Sequence, residues 1–140
     1  MKKSILFTFI FTLLFGAVSF AQSNNAQTKP ANVAAFQWLQ PETKDFGKIP
    51  QGTPVTATFK FKNVGKIPLV ITNVQASCGC TTPDYSKAPI APGETGFVMA
   101  TYNAASPGSF YKNVTVTANV EGGSVVLYLK GEVEAKSPNQ

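Results

Sequence analysis

An all-β sandwich of about seven antiparallel strands is the fold class this sequence predicts, and three observations predict it. Short runs rich in Val, Ile, Thr, Phe and Tyr recur at near-regular intervals from Phe36 onward. Gly, Pro and Asn clusters punctuate them. Beyond the first 21 residues no segment carries a 3.6-residue apolar stripe. Strands of this length and spacing, without helices between them, bury their apolar faces by packing two sheets against each other.

The chain opens with Lys2 and Lys3, an apolar run from Ile5 to Phe20, and the small-large-small triplet Ser19-Phe20-Ala21. That order predicts a secretory signal peptide, residues 1–21, cleaved after Ala21. A membrane anchor is the rival reading, but a run of about 16 residues falls short of the roughly 20 that span a bilayer core. Residues 22–35 (QSNNAQTKPANVAA) are polar and aperiodic and read as an extended, flexible linker. A sandwich domain over 36–134 follows, and 135–140 is a polar tail.

Within the domain, Phe36 to Leu39 and a short piece around Phe46 are the first two strands. Val55 to Lys62 alternates cleanly, with Val55, Ala57, Phe59 and Phe61 on one face and Thr and Lys on the other, so one face is buried and the other wet. Asn63 to Lys66 then reads as a turn, with Gly65 free to take a positive φ, into an antiparallel partner strand at Leu69 to Val74. Pro92-Gly93 turns the chain into Gly96 to Tyr102, and Ser106-Pro107-Gly108 turns it into Phe110 to Val120. Gly122-Gly123 closes a hairpin into Val125 to Val133. The expected core is Phe59, Phe61, Leu69, Ile71, Phe97, Met99, Val114, Val116, Leu127 and Leu129.

Composition excludes more than it includes. The 140 residues hold 12 basic side chains, all lysine, against 7 acidic ones, and no histidine. Without His there is no imidazole base, no Ser-His-Asp or Cys-His nucleophile and no HExxH zinc site. Without Arg, bidentate reading of phosphate or guanine loses its usual tool, so nucleic acid is a poor partner. Signal cleavage removes two lysines and lowers the formal charge from +5 to +3, enough for solubility and too little for a polyanion surface. These features point to a product released to the periplasm or the exterior, with no membrane span in the mature chain, no cofactor, no metal and no catalytic residues. The residues leave oligomeric state open.

One local motif can carry chemistry: Ser77-Cys78-Gly79-Cys80-Thr81, which holds both cysteines. Three readings compete. In an oxidising compartment Cys78 and Cys80 form a disulfide or redox pair, whose three-residue ring contributes roughly 1.6 kcal/mol before strain. Fully extended, the two Cα atoms lie about 7 Å apart, so the chain must bend at Gly79 to bridge them. Alternatively the pair chelates a soft metal such as Cu(I), although a zinc sphere lacks its remaining ligands. Or the cysteines simply pack at a strand end. Lys87 is the cation placed to lower a thiol pKa, or else a solvated loop charge.

Other features are weaker. Asn113-Val114-Thr115 fits the glycosylation sequon but falls inside a strand. Trp38, Tyr85, Tyr102, Tyr111 and Tyr128 can form a sugar-binding face or can be half-buried strand aromatics. Glu132 and Glu134 share a face of the last strand and read as a solvated pair.

Four motifs in order carry a resemblance: Asp45-Phe46-Gly47-Lys48-Ile49; Phe59-Lys60-Phe61-Lys62-Asn63-Val64-Gly65 with Pro68-Leu69-Val70-Ile71; Ser77-Cys78-Gly79-Cys80-Thr81-Thr82-Pro83; and Ile90-Ala91-Pro92-Gly93-Glu94-Thr95-Gly96. Through them residues 44–133 resemble the secreted bacterial family catalogued as Domain of Unknown Function 1573. More distantly, the chain is similar to the immunoglobulin-like domains of the ASH, Hydin and major sperm protein group. The resemblance implies an immunoglobulin-like β-sandwich and, by analogy of fold, an interaction module. The leading expectation is a secreted or periplasmic, non-enzymatic binding or structural module of the cell envelope, with a protein or other envelope component as partner. The alternative is a thiol redox or soft-metal-handling protein using Cys78-Gly79-Cys80.

Overall fold

Eight strands form two four-stranded sheets that pack face to face. The computed structural model describes residues 32–137, and the expected signal peptide, residues 22–31 of the linker and residues 138–140 of the tail lie outside them. The first sheet orders β1 (Phe36–Trp38), β3 (Val55–Asn63), β6 (Thr95–Tyr102) and β5 (Thr81–Tyr85) as β1-β3-β6-β5. The second orders β2 (Thr43–Pro50), β8 (Ser124–Glu134), β7 (Gly108–Ala118) and β4 (Ile71–Ala76) as β2-β8-β7-β4.

The strand β3 buries Ala57, Phe59, Phe61 and Asn63 and exposes the Thr and Lys between them, as its alternation requires. Facing it across the sandwich, Val114, Val116, Leu127 and Leu129 are fully buried. The Val120-Glu121-Gly122-Gly123 turn places both glycines at positive φ, 79° and 73°, the geometry that matches the right-handed twist of a hairpin.

Four expectations change. The count is eight rather than about seven, because Thr81–Tyr85 is a strand despite Pro83; it lies at a sheet edge, where a missing N–H disrupts no ladder. Not every pairing is antiparallel, since β2 runs parallel to β8, with a register break between Asp45 and Lys48. Residues 69–74 do not turn back onto β3. Among the described residues, β3 is already flanked by β1 and β6, so the chain crosses to the other sheet and β4 pairs with β7. Gly65 accordingly does not adopt a positive φ; it is needed because a Cβ there would lie 2.5 Å from the Val33 carbonyl oxygen and 2.6 Å from the Ala34 Cα.

The fourth change concerns the face of β6. Gly96, Val98, Ala100 and Tyr102 point inward, while Phe97 and Met99, expected in the core, face outward and are half-buried. Small inward residues make room for large ones on β3: a Cβ at Gly96 would sit 2.5 Å from Phe61 Cζ. At the amino-terminal end, Ala34 is buried and bridges Val120, so the ordered fold starts within the segment expected as linker.

Candidate functional site

The Ser77-Cys78-Gly79-Cys80-Thr81 segment joins the edge strand of one sheet, β4, to the edge strand of the other, β5. It is a corner where the chain changes sheets. Ser77 extends the β4–β7 ladder: its N–H donates to the Asn113 carbonyl at 3.0 Å, and its hydroxyl accepts the Asn113 N–H at 3.3 Å. The Thr81 N–H donates to the Cys78 carbonyl at 3.3 Å, closing a turn around Gly79. On the far side the Cys80 carbonyl accepts the Asn103 N–H at 3.0 Å.

This bend brings the two Cα atoms to 5.3 Å, and a disulfide joins Cys78 to Cys80. Both cysteines are half-buried; Cys80 packs against the core, and the exposed Gly79 has open space where a Cβ would be. Thr81 is buried, with its hydroxyl 3.8 Å from Cys78 Sγ. Lys87 is engaged elsewhere, 3.7 Å from an Asp84 carboxylate oxygen and 3.3 Å from the Tyr85 ring centroid. Among the described residues no group of three or more His, Cys, Asp or Glu side chains converges as a metal site.

The aromatic residues do not gather into one face. Trp38 stacks on Phe36 and meets Phe61 edge-on. Tyr102 is buried against Phe110, with centroids 4.3 Å apart. Tyr111 and Tyr128 stack at 5.2 Å on the outer face of the second sheet, and Tyr85 lies on β5 of the first. Asn113 is half-buried within β7. Glu134 pairs with Lys48 at 2.9 Å in an exposed ion pair.

Sequence reasoning missed the polar side chains that hold the loops. Asn63 is fully buried; its side-chain oxygen accepts N–H groups from Ala35 and Gly65 at 3.3 and 2.9 Å, and its Nδ2 donates to the Ile67 and Ile90 carbonyls at 2.8 and 2.9 Å. Asn119 clamps the crossing chain, accepting the Val70 N–H and donating to the Pro68 carbonyl at 2.8 and 2.9 Å. The signal for Asn63 was available: an Asn at an inward position of a strand end must find partners for all its polar atoms. In the first motif, Asp45 accepts the Gly47 N–H at 2.8 Å and so fixes Gly47 at φ 61°. That bond, followed by the Lys130 ammonium, holds the Asp45 carboxyl below the usual carboxylate range. In the last motif, Pro92 and Gly93, at φ 84°, form a turn closed by the Glu94 N–H on the Ala91 carbonyl at 3.0 Å.

Solved structures share this architecture. The ASH/PapD-like domain 7 of human CEP192 superposes with a TM-score of 0.69 at 10% identity, covering 87% of this chain and all of that one. A protein of unknown function from Porphyromonas gingivalis W83 gives 0.64 at 18% identity, covering 78% of this chain and 51% of that one. The secreted serine protease VesC from Vibrio cholerae gives 0.55 at 16%, covering 82% of this chain and 26% of that one. The chain therefore spans about half the length of the Porphyromonas protein and about a quarter of the protease. At these identities the likeness is one of fold, an immunoglobulin-like, PapD-like sandwich. No curated protein matches the sequence. Residues 37–133 match the family described as Protein of unknown function (DUF1573), and the chain belongs to that family.

Proposed function

We propose that this protein is a non-enzymatic binding or structural module of the cell envelope, delivered to the periplasm or exterior by the signal peptide 1–21. One observation carries the reading: three polar side chains of the quoted motifs, Asn63, Asp45 and Ser77, are engaged within the fold itself. Asn63 has its side-chain donors and acceptor engaged by main chain, Asp45 caps Gly47, and Ser77 continues a ladder. Catalytic groups instead keep a polar atom aimed at a substrate.

A second reading has its own support. The Cys78–Cys80 disulfide sits at a partly exposed corner, where a thiolate can attack it, so a thiol-exchange role is the alternative. It differs from catalytic dithiols in following a strand rather than opening a helix, and so lacks the dipole that stabilises thiolate.

Capture from envelope extracts separates the two readings. The mature protein and a Cys78→Ser/Cys80→Ser variant should retain the same partners if the module reading holds. A Cys80→Ser variant that accumulates mixed disulfides through Cys78, with no partner shared by the other two forms, would favour thiol exchange.

A further inference from the structure

The strand β1 covers only part of β3. It pairs with Asn63, Lys62 and Phe61, and then leaves the sheet, while β3 continues back to Val55. The Leu39 N–H still reaches the Lys60 carbonyl at 3.0 Å, and the Gln40 side-chain amide reaches the Thr58 carbonyl. Main-chain groups alternate sides along a strand, so these two bonds show that Thr56 and Thr58 present their N–H and C=O groups away from β6. Asn63, of the opposite parity, agrees: its N–H and C=O bond Glu94 and Gly93 on the β6 side. Among the described residues no strand pairs the open side of Val55–Thr58.

The other long edges are blunted, as exposed edges in stable proteins generally are. The register of β2 breaks between Asp45 and Lys48, that of β4 breaks between Ile71 and Asn73, and β5 carries Pro83 at its middle. The β3 edge runs in unbroken register with its inner neighbour from Val55 through Lys62 and, unlike the equally regular but shorter β5, carries no proline. Beside it lies a groove of about 500 Å³ lined by Gln40, Pro41, Thr43, Lys44, Thr56 and Phe59 among others. Lys44 and Lys60 flank this region, both exposed and neither in an ion pair among the described residues, whereas Asp45, which also lines the groove, pairs with Lys130 at 3.4 Å.

We propose that the Val55–Thr58 edge of β3 captures an extended peptide segment of a protein partner by strand addition. The segment places aliphatic side chains in the groove beside Phe59 and acidic side chains against Lys44 and Lys60. The inference rests on the binding-module reading and names its surface and its partner's chemistry. An unpaired strand edge offers donors and acceptors repeating about every 6.6 Å, which another extended main chain matches. Gln40 acts as a placeholder on the Thr58 carbonyl until the partner arrives.

The test titrates the ¹⁵N-labelled, oxidised mature protein with a capped hexapeptide of alternating glutamate and valine. Amide signals of Thr56 and Thr58 should shift, and their hydrogen exchange should slow at least tenfold. The fully N-methylated peptide, which keeps the side chains and loses every donor, should bind at least tenfold more weakly, as should the lysine–valine counterpart. Gln40→Ala should bind the acidic peptide at least as tightly as wild type. Thr56→Pro should lose binding while the Ala57 and Phe59 amides, which face β6, stay unchanged and report an intact sheet. Shifts confined to β2, β4, β5 or the Tyr111–Tyr128 face would overturn this edge and leave the binding-module reading standing. Equal binding of the N-methylated peptide, or no shift at millimolar peptide, would overturn the proposal. So would protection of Thr56 and Thr58 before any peptide is added, which would assign the edge to residues 22–31 or, if concentration-dependent, to a second copy. The module reading is judged separately by the capture experiment.

Discussion

Inside the core, the Asn63 side chain donates to the Ile90 carbonyl at 2.9 Å, tying the end of β3 to the segment that leads into β6. Asn63→Ala would strand the Ile67 carbonyl and the Ala35 and Gly65 N–H groups, while the Ile90 carbonyl would keep only its bond from the Leu69 N–H. Each buried unsatisfied group costs about 1–3 kcal/mol, and water can reach part of this cluster, so the expected loss is about 3–5 kcal/mol. Urea denaturation of the variant against wild type checks it.

Alternation along β3 makes neighbouring residues unequal. Phe61 is fully buried and Lys60 exposed, so Phe61→Ala should cost about 3–5 kcal/mol and Lys60→Ala no more than about 0.5. Equal shifts in the denaturation midpoint would contradict the observed register.

Gly96 and Phe61 form a coupled pair, since a methyl on Gly96 collides with the ring. Gly96→Ala should destabilise by about 1–3 kcal/mol. In the Phe61→Leu background that cost should shrink, a coupling that a double-mutant cycle reads directly. Gly79→Ala, at an open site without positive φ, should stay within about 0.5 kcal/mol of wild type.

Two exposed groups set a weak pH dependence of opposite signs. The folded Asp45 carboxyl lies below its ordinary value, chiefly through the Gly47 N–H bond, so its contribution is present above the unfolded pKa, near 4, and is lost as pH falls through the folded one. Lys48 is raised, chiefly by its bond to Glu134, so its contribution holds below the unfolded pKa, near 10.4, and is lost as pH rises through the folded one. Asp45→Asn should flatten the acid limb and Lys48→Met the alkaline limb of midpoint against pH, with the plateau between them keeping its shape.

The sandwich was legible wherever one face of a strand is apolar and the other polar, as in β3, or where glycines demand a turn, as at Gly93, Gly122 and Gly123. It was not legible in β6, because Phe97 and Met99 on one face and Val98 and Tyr102 on the other are both apolar, and only the bulk of Phe61 decides between them. The mistaken hairpin after Asn63 has a similar origin. Local turn chemistry at Asn63-Val64-Gly65 looks like a reversal, but its side chain and its glycine serve contacts with residues 33–35, distant in sequence. Thr81–Tyr85 is too short and too polar to announce itself as a strand. The cysteine corner was legible as a bend that a bridge requires; its position between two sheet edges was not.

If the quoted motifs, including the cysteine pair, build the fold rather than perform chemistry, reducing the Cys78–Cys80 disulfide should leave the sandwich standing. The measurement is the denaturation midpoint of the mature protein before and after reductant, with the disulfide's reduction potential and its turnover of a dithiol substrate taken on the same sample. A three-residue ring limits the bridge to roughly 1–2 kcal/mol, so the expected result is a small midpoint shift, a sandwich that stays folded, and no catalytic turnover. Multiple turnovers, with a potential in the range of catalytic disulfides, would contradict it.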